Sequence, residues 1–431
     1  MIYASSVAYL YSLQKHGIKL GLERMTALVS RLGMPQTRYH TLHIAGTNGK
    51  GSTAAMTAAI LQAAGYRVGL YTSPHLVEFR ERICVNGEMI AESDVARLTE
   101  RLKGLCGLNL APTFFECTTA MALQYFADSR VDIAVLEVGL GGRFDATNVV
   151  TPLASAITTI ALDHQEYLGT TLVSVAFEKA GIIKPHVPVV VGRVDEEAWE
   201  TIDRVASDRA APVGRLGRDF TAIGTTPEGF SYSGSTLRYE DLHCTLQGVH
   251  QIDNAACALA LLEAAGSGGV VLTEQAVREG LRKVRWEGRI EVVDRQPLTI
   301  LDGAHNPAAA RVLADYLRVF RLFHPGRRVI LVLGMMGDKD HVGFVEPLMD
   351  LVDEVVLTEV DLPRSATVQE LQAAIGNRWP RVYMKGELSD ALRQARQLAG
   401  ADDLICVTGS LMLVGDVKGL SRGCELSPLR G

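Results

Sequence analysis

The chain lacks the features that mark membrane proteins, disulfide scaffolds and general nucleic-acid binders. No run of 18 or more apolar residues is free of charge; the richest, from Ala255 to Leu272, is interrupted by Glu263, so no membrane-spanning helix is expected. No basic residue precedes Lys15. The start therefore lacks the charged region of a signal peptide, and a cytoplasmic protein is expected. The 7 cysteines (Cys84, Cys106, Cys117, Cys244, Cys257, Cys406 and Cys424) form an odd set with no C-x-x-C pair. Such a set fits a reducing compartment and neither a disulfide framework nor a zinc site. Positive charge is not in surplus either: 43 Lys+Arg against 49 Asp+Glu leave −6, which argues against sequence-independent nucleic-acid binding. What remains is ordinary globular composition, 47% hydrophobic and 21% charged, and that argues against disorder. A length of 431 residues favours two or three domains, each with its own core.

Short β-rich apolar runs alternate with helix-length segments, the pattern of a parallel α/β sheet. Strands are expected at Thr41–Ala45, Arg67–Tyr71, Val131–Val138, Leu153–Ile160 and Pro188–Val191. An Ala-rich helix is expected over Ser52–Ala64, stopped by Gly65. Between Gly214 and Gly248 the texture changes: Phe230–Tyr232 and Leu237–Leu246 alternate polar and apolar residues between glycines, which predicts a small antiparallel accessory sheet. Helices follow at Asn254–Ala265 and Thr273–Val284. A second α/β series, Rossmann-like in its alternation, has strands at Leu298–Leu301, Arg328–Leu333, Glu354–Thr358 and Leu404–Val407. The division is placed near Gln296–Pro297, giving domains over residues 1–296 and 297–431.

The segment Gly46-Thr47-Asn48-Gly49-Lys50-Gly51-Ser52 lies between an expected strand and an expected helix. Glycines let several backbone N–H groups turn toward one anion. The helix N-terminus adds partial positive charge, Lys50 can reach terminal phosphates, and Ser52 offers a hydroxyl. The spacing departs from G-x-x-x-x-G-K-[ST], because Ile44 stands at the first glycine and Gly51 intervenes before Ser52. A plain structural turn would need none of the flanking elements; their presence favours nucleotide phosphate. The sheet domain is therefore read as P-loop-type.

Phosphate transfer needs Mg²⁺, held by a few oxygen or imidazole ligands. Ser73, Glu137 and His164 each lie just beyond an expected strand, where ligands of an open α/β sheet collect. Glu137 is the sharpest, since a lone carboxylate in an apolar strand is costly to bury without a cation or hydrogen bonds. The alternatives are a buried structural acid at Glu137, a satisfied histidine at His164 and a Ser-Pro turn at Ser73. Directly after Glu137 runs Gly139-Leu140-Gly141-Gly142-Arg143-Phe144-Asp145-Ala146-Thr147-Asn148, a loop whose glycines permit close backbone approach. Arg143 and Asp145 are candidates for orienting a substrate there, against the alternative of a plain surface loop.

Taken together, Gly46–Ser52, Tyr71–Leu76, Leu136–Asn148, Ala161–His164, Glu178–Lys184, His250–Ala256 and Leu301–Pro307 resemble the folylpolyglutamate synthase/dihydrofolate synthase branch of the Mur ligase superfamily. The resemblance runs in order from Tyr9 to Lys418, and the Gly-Lys-Gly-Ser turn is that family's own variant. It implies that Ser73, Glu137 and His164 are magnesium ligands. It further implies that Lys179 is carbamylated and helps hold a second ion, which demands a neutral amine and hence a pKa lowered by burial. Read alone, Lys179 is an exposed helix lysine. By the same resemblance Thr47 to Ser52 cradle ATP, Asn254 meets adenine, Arg289 reaches a phosphate, and Asp302 and His305 lie at the nucleotide cleft. Alone, the Asp302–His305 turn is a common helix start. Phe115, Glu116, Cys117, Thr118, Phe144, Asp145 and Ala146 match segments that contact the pterin.

The implied activity is ATP-dependent ligation of L-glutamate to dihydropteroate or to the γ-carboxylate of reduced folates through an acyl phosphate, with two magnesium ions and closure by the second domain. A monomer acting on small molecules, with neither nucleic acid nor membrane as partner, is the expectation. Two rivals are a Mur ligase for UDP-linked peptides and a non-ligase P-loop NTPase. Against the first, too few residues precede Gly46 for the uridine-binding domain such enzymes usually carry. Against the second, no Asn-Lys-x-Asp sequence occurs, and a full second α/β domain has no role.

Overall fold

The computed structural model describes residues 2–17, 19, 21–106, 110–226, 228–376 and 378–423; Cys424 lies outside them. Two compact units are present. The first comprises Met1–Ser73, Phe79–Thr245 and Gln251–Arg285, the second Pro74–Glu78, Leu246–His250 and Trp286–Gly431.

The first unit is built on an eight-stranded sheet. Its strands are β1 (His40–Ala45), β2 (Val68–Tyr71), β3 (Ile83–Val85), β4 (Glu88–Met89), β5 (Ile133–Glu137), β6 (Ala154–Ile157), β7 (Val189–Val191) and β8 (Val213–Arg215). They lie in the order β4-β3-β2-β5-β1-β6-β7-β8. The run from β2 to β8 is parallel, and only the β2–β3 and β3–β4 pairs are antiparallel. Every residue of β5, β6 and β7 is buried, which is why they read as continuous apolar runs without alternation. From β1 the chain departs toward β2 on one side, and from β6 toward β7 on the other. Carboxyl ends that diverge in this way leave a crevice, the usual ligand position in an open sheet.

The helix after β1 spans Lys50–Ala63 and is almost wholly buried. Its alanines permit close packing: a Cβ on Gly280, in the helix Glu274–Lys283, would lie 2.5 Å from the Ile60 Cα. The helix ends at Gly65, which takes φ 92°. Gly65 N–H donates to Gln62 and Tyr66 N–H to Leu61, the paired bonds of a glycine-terminated helix.

The accessory sheet has three antiparallel strands, β9 (Thr221–Thr225), β10 (Gly229–Ser233) and β11 (Arg238–Leu242). The expected strand at Leu237–Leu246 is shorter than read, and β9 was not anticipated, because a glycine and exposed residues leave it no apolar alternation. The Glu263 carboxylate, on the helix His250–Ala265, ties the β10–β11 turn down. It accepts from Tyr232 Oη, Ser235 Oγ, Thr236 Oγ1, and the Thr236 and Leu237 amides.

The second unit carries β12 (Glu291–Arg295), β13 (Leu298–Leu301), β14 (Val329–Leu333), β15 (Glu354–Leu357), β16 (Val382–Met384) and β17 (Leu404–Thr408). Their order is β12-β13-β17-β14-β15-β16. All pairs but β12–β13 are parallel. Gln296 and Pro297 form the bend of the β12–β13 hairpin, so the main stretch of this unit starts upstream of them, at Trp286. The charged edge strand β12 and the three-residue β16 carry too little periodicity to be read from sequence. No described helix is long and apolar enough to cross a membrane, and no disulfide joins the described cysteines.

Candidate active site

The glycine turn leaves β1 at its carboxyl end. Gly46 has φ 149° and Gly49 φ 86°, conformations that L side chains rarely adopt. Space forbids a side chain as well: a Cβ on Gly46 would overlap Thr158 Oγ1, and one on Gly49 would overlap Asn254 Oδ1. Gly49 is the N-cap of the Lys50–Ala63 helix, and no side chain caps that end. The turn is pinned from β6: Thr158 Oγ1 donates to the Asn48 carbonyl at 2.6 Å, and Thr159 Oγ1 accepts from Asn48 N–H at 3.0 Å. Thr47 Oγ1 donates to the Ala161 carbonyl at 3.0 Å and accepts from its amide at 3.0 Å. A glycine-led helix start, fixed by the Thr158–Ala161 segment and carrying Lys50, fits a polyphosphate. Sequence reasoning passed over Thr158 and Thr159; two hydroxyls in succession just past a buried strand were the available signal.

Two ammonium groups meet beneath the turn. Lys50 Nζ donates to the Gly46 carbonyl at 3.0 Å and to the Thr47 carbonyl at 3.1 Å. Lys179 Nζ, from the helix Leu172–Ala180, donates to the same Gly46 carbonyl at 2.9 Å. Lys179 is only 4% exposed. Burial, and then the Lys50 charge, lower its pKa to about 7, while Asp163 and Asp145 oppose the shift. The exposed helix lysine of the motif-free reading is thereby excluded.

Glu137 ends β5 and is 5% exposed; its Oε2 accepts from Ser73 N–H at 3.1 Å. Two of the three expected cation ligands are thus in contact. His164, at φ 49°, heads the short helix Gln165–Leu168 with its side chain 43% exposed and Nε2 4.0 Å from Asp163 Oδ1. Among the described residues no three His, Cys, Asp or Glu side chains gather at metal-binding spacing. The expected set holds only two such residues, with a serine and a lysine beside them. Glu137 and Ser73 meet at the ends of the paired strands β5 and β2, and a carboxylate beside a hydroxyl suits a hard cation.

The glycine-rich loop after Glu137 is held internally. The Asp145 carboxylate accepts from the Gly139 and Leu140 amides at 3.0 and 2.9 Å, from the Thr147 amide at 2.9 Å, and from Thr147 Oγ1. Burial raises the Asp145 pKa against these donors. Arg143 pairs with Glu178 at 2.5 Å, and its guanidinium lies over the rings of Phe144, 4.3 Å from the centroid, and Phe177, 5.1 Å. Ala146 is buried. Phe115 packs on the same loop, since a Cβ on Gly139 would overlap its ring. Its neighbours serve the helix Phe114–Asp128: Glu116 accepts from Thr113 N–H in a capping box and pairs with Arg24 at 3.1 Å. Thr118 Oγ1 lies 3.1 Å from Tyr71 Oη. Hydrogen bonding with Cys106 and burial push the Cys117 thiol well above its usual range. The structure therefore gives Glu116, Cys117, Thr118 and Asp145 internal roles that the sequence did not foresee.

Asn254 packs against Gly49, and its Nδ2 donates to Gln251 Oε1 at 2.9 Å. In the second unit, Asp302 accepts from the Ile290 and Ala304 amides, both at 2.9 Å. Burial raises its pKa and Arg289 opposes this. Arg289 Nη1 donates to the Gly288 carbonyl at 2.9 Å, and His305 Nδ1 lies 2.8 Å from the Gly303 carbonyl. Arg289, Asp302 and His305 thus form one cluster, ahead of the helix Pro307–Phe323 with Asn306 as its N-cap.

Comparison with known proteins agrees with this arrangement. The Mur ligase middle domain matches residues 44–262, and the Mur ligase glutamate ligase domain matches residues 288–411. Dihydrofolate synthase/folylpolyglutamate synthase of Bacillus subtilis is 36% identical over 431 residues, covering 96% of this chain and 98% of that protein. The Escherichia coli protein of the same name is 36% identical over 422 residues, covering 96% and 94%. Among solved structures, E. coli FolC in complex with DHPP and ADP superposes with a TM-score of 0.90 at 35% identity, covering 98% of both chains. With like sequence, fold and domain order over nearly its whole length, the chain belongs to the folylpolyglutamate synthase/dihydrofolate synthase family of Mur ligases.

Proposed function

We propose that this chain is a bifunctional ATP-dependent ligase that joins L-glutamate to dihydropteroate and to the γ-carboxylate of reduced folates. The observation that carries the reading is the meeting of Lys50 and Lys179 at the Gly46 carbonyl, beside a buried Glu137 at the next strand end. Relatives support the substrates: one solved FolC holds DHPP and ADP, and a bifunctional synthase holds Mn, AMPPNP and L-glutamate.

In this reading the backbone of Thr47 to Ser52 holds the triphosphate, and Lys50 neutralises its terminal charge as the substrate carboxylate approaches. Asn254 meets the adenine; Arg289, Asp302 and His305 serve the nucleotide from the second unit, whose main stretch starts at Trp286. Ser73, Glu137 and His164 would hold one magnesium ion, and Lys179, carbamylated, would help hold a second. Such ions offset the repulsion between carboxylate and triphosphate and polarise the phosphoryl oxygens. The carboxylate oxygen attacks the γ-phosphorus and ADP departs. The glutamate amine then displaces phosphate from the acyl carbon, so no side-chain nucleophile is needed. Arg143, Phe144, Asp145 and Ala146, with the Phe115–Thr118 segment, line the acid substrate. The chain acts as a cytoplasmic monomer.

The test is a coupled ADP-release assay with glutamate and each of dihydropteroate, tetrahydrofolate and a UDP-peptide. Turnover with the first two supports the bifunctional reading. Turnover with the UDP-peptide alone assigns the cell-wall reaction, and turnover needing no acid leaves a plain NTPase.

A further inference from the structure

Behind the glycine-rich loop runs a buried chain of hydrogen bonds that no role assigned so far uses. Thr147 Oγ1 lies 2.5 Å from Asp145 Oδ1 and 2.8 Å from His43 Nε2. A carboxylate only accepts, so the threonine hydroxyl donates to Asp145, and its lone pair is left for a donor. That donor is His43, which must carry its proton on Nε2. The imidazole is fully buried on β1, and among the described residues its Nδ1 has no hydrogen-bond partner. Burial, with the nearby Lys184 charge, lowers its pKa to about 3, so the ring is neutral and Nε2–H is its single donor. At the far end Asp145 Oδ2 accepts from the Gly139 and Leu140 amides. The chain of bonds therefore runs from β1, which delivers the phosphate turn, to the first amides of the loop that leaves β5 past Glu137.

A buried imidazole with one nitrogen unpartnered costs stability that an aliphatic residue at the same site would not. What it supplies is a single directed donor. Without it the Thr147 hydroxyl can rotate away, and Asp145 then loses one of the four donors that hold its carboxylate over the loop amides. Because His43 and Gly46 share β1, one strand fixes both the phosphate turn and the neighbouring loop.

We infer that His43 is a positioning residue: by donating to Thr147 it orients the hydroxyl that holds Asp145, and so sets the Gly139–Asn148 loop on which the pteroate or folate acid lies. The inference rests on the ligase reading above and adds to it a buried residue that touches no substrate.

The test is steady-state ADP release by the full chain with Mg-ATP, glutamate and dihydropteroate, for His43→Ala, His43→Gln, His43→Asn and Thr147→Val. His43→Ala and Thr147→Val are expected to raise KM for dihydropteroate about tenfold while KM for ATP stays within about twofold. His43→Gln restores the wild-type KM, because the glutamine amide nitrogen reaches where Nε2 lies. His43→Asn does not, because its nitrogen reaches only as far as Nδ1. The double variant His43→Ala/Thr147→Val is no worse than either single one, since both break one link. Thr147→Val carries the test if His43→Ala fails to accumulate. Unchanged acid KM in Thr147→Val, a joint rise of acid and ATP KM, or glutamine no better than alanine overturns the inference. Loss of the inference alone leaves wild-type turnover intact; a wild type with no glutamate-dependent turnover overturns the ligase reading and this inference with it.

Discussion

The side chains of Lys50 and Lys179 converge on one acceptor, the Gly46 carbonyl, at 3.0 and 2.9 Å. Two cations at that separation repel, and the more buried one yields: Lys179 has its pKa lowered to about 7, by burial first and by Lys50 second. The strand end that presents the phosphate turn thus also prepares a neutral amine.

A neutral amine is what carbamylation requires, so the CO₂-dependent gain in ligase activity should rise as pH increases through about 7 and level off above it. Intact mass after bicarbonate exposure should show the gain of one CO₂, absent in Lys179→Met. Stability follows the same proton. The folded pKa lies below the unfolded 10.5, so the unfolded chain binds more protons between them, and stability should rise with pH in that window. Urea denaturation on either side of the window, with Lys179→Met as control, checks the sign.

Gly49→Ala places a methyl at φ 86° where Asn254 Oδ1 already sits. Left-handed backbone costs an L-residue about 1–2 kcal/mol before the clash is counted. ADP affinity should fall at least tenfold by calorimetry while Tm moves only a few degrees, at about 4 °C or less per kcal/mol in a chain of this size. Nucleotide affinity equal to wild type would remove the glycine from the phosphate site.

Much of this site is legible in the sequence because its signals are local. The turn from Gly46 to Ser52 and the acid closing β5 each stand out against apolar neighbours. The position of Lys179 beneath Gly46 is different: only tertiary packing buries it, and the residue itself reads as a surface lysine. His43 was passed over for the same reason, since a histidine in an apolar strand gives no sign of the threonine it faces. Glu116 and Asp145 also hold the protein's own backbone, as a helix cap and a loop clasp, which no local sequence signal announces. The strands β3, β4, β8, β9, β12 and β16 escaped because edges and segments of two or three residues carry little pattern.

Glu137→Gln keeps the shape of the carboxylate and an oxygen for the Ser73 amide, but it removes the charge that a cation needs. Ligase turnover should fall by about 100-fold or more, with the magnesium requirement shifted to higher concentration. A magnesium titration with unchanged midpoint would place the ion elsewhere.

Acid should destabilise the fold through His43. Its folded pKa, about 3, lies below the unfolded 6.5, so its contribution is complete above pH 6.5 and is lost as pH falls toward 3. Over that interval the loss is on the order of 5 kcal/mol. His43→Gln, which cannot titrate, should flatten this limb of a denaturation profile.

Glu263→Ala should cost about 1–2 kcal/mol, because it leaves the part-buried Leu237 amide and the Tyr232 hydroxyl without their acceptor. Urea unfolding should show the loss while kcat changes less than about twofold, since the latch serves the accessory sheet.

In the proposed reaction a substrate carboxylate, and not water, takes the γ-phosphoryl group held over Lys50. Dihydropteroate carrying heavy oxygen in its carboxylate, incubated with ATP, glutamate and the enzyme, tests it directly by mass spectrometry of the released phosphate. The account predicts one heavy oxygen transferred to phosphate for each amide bond formed. Phosphate released without the label would contradict it.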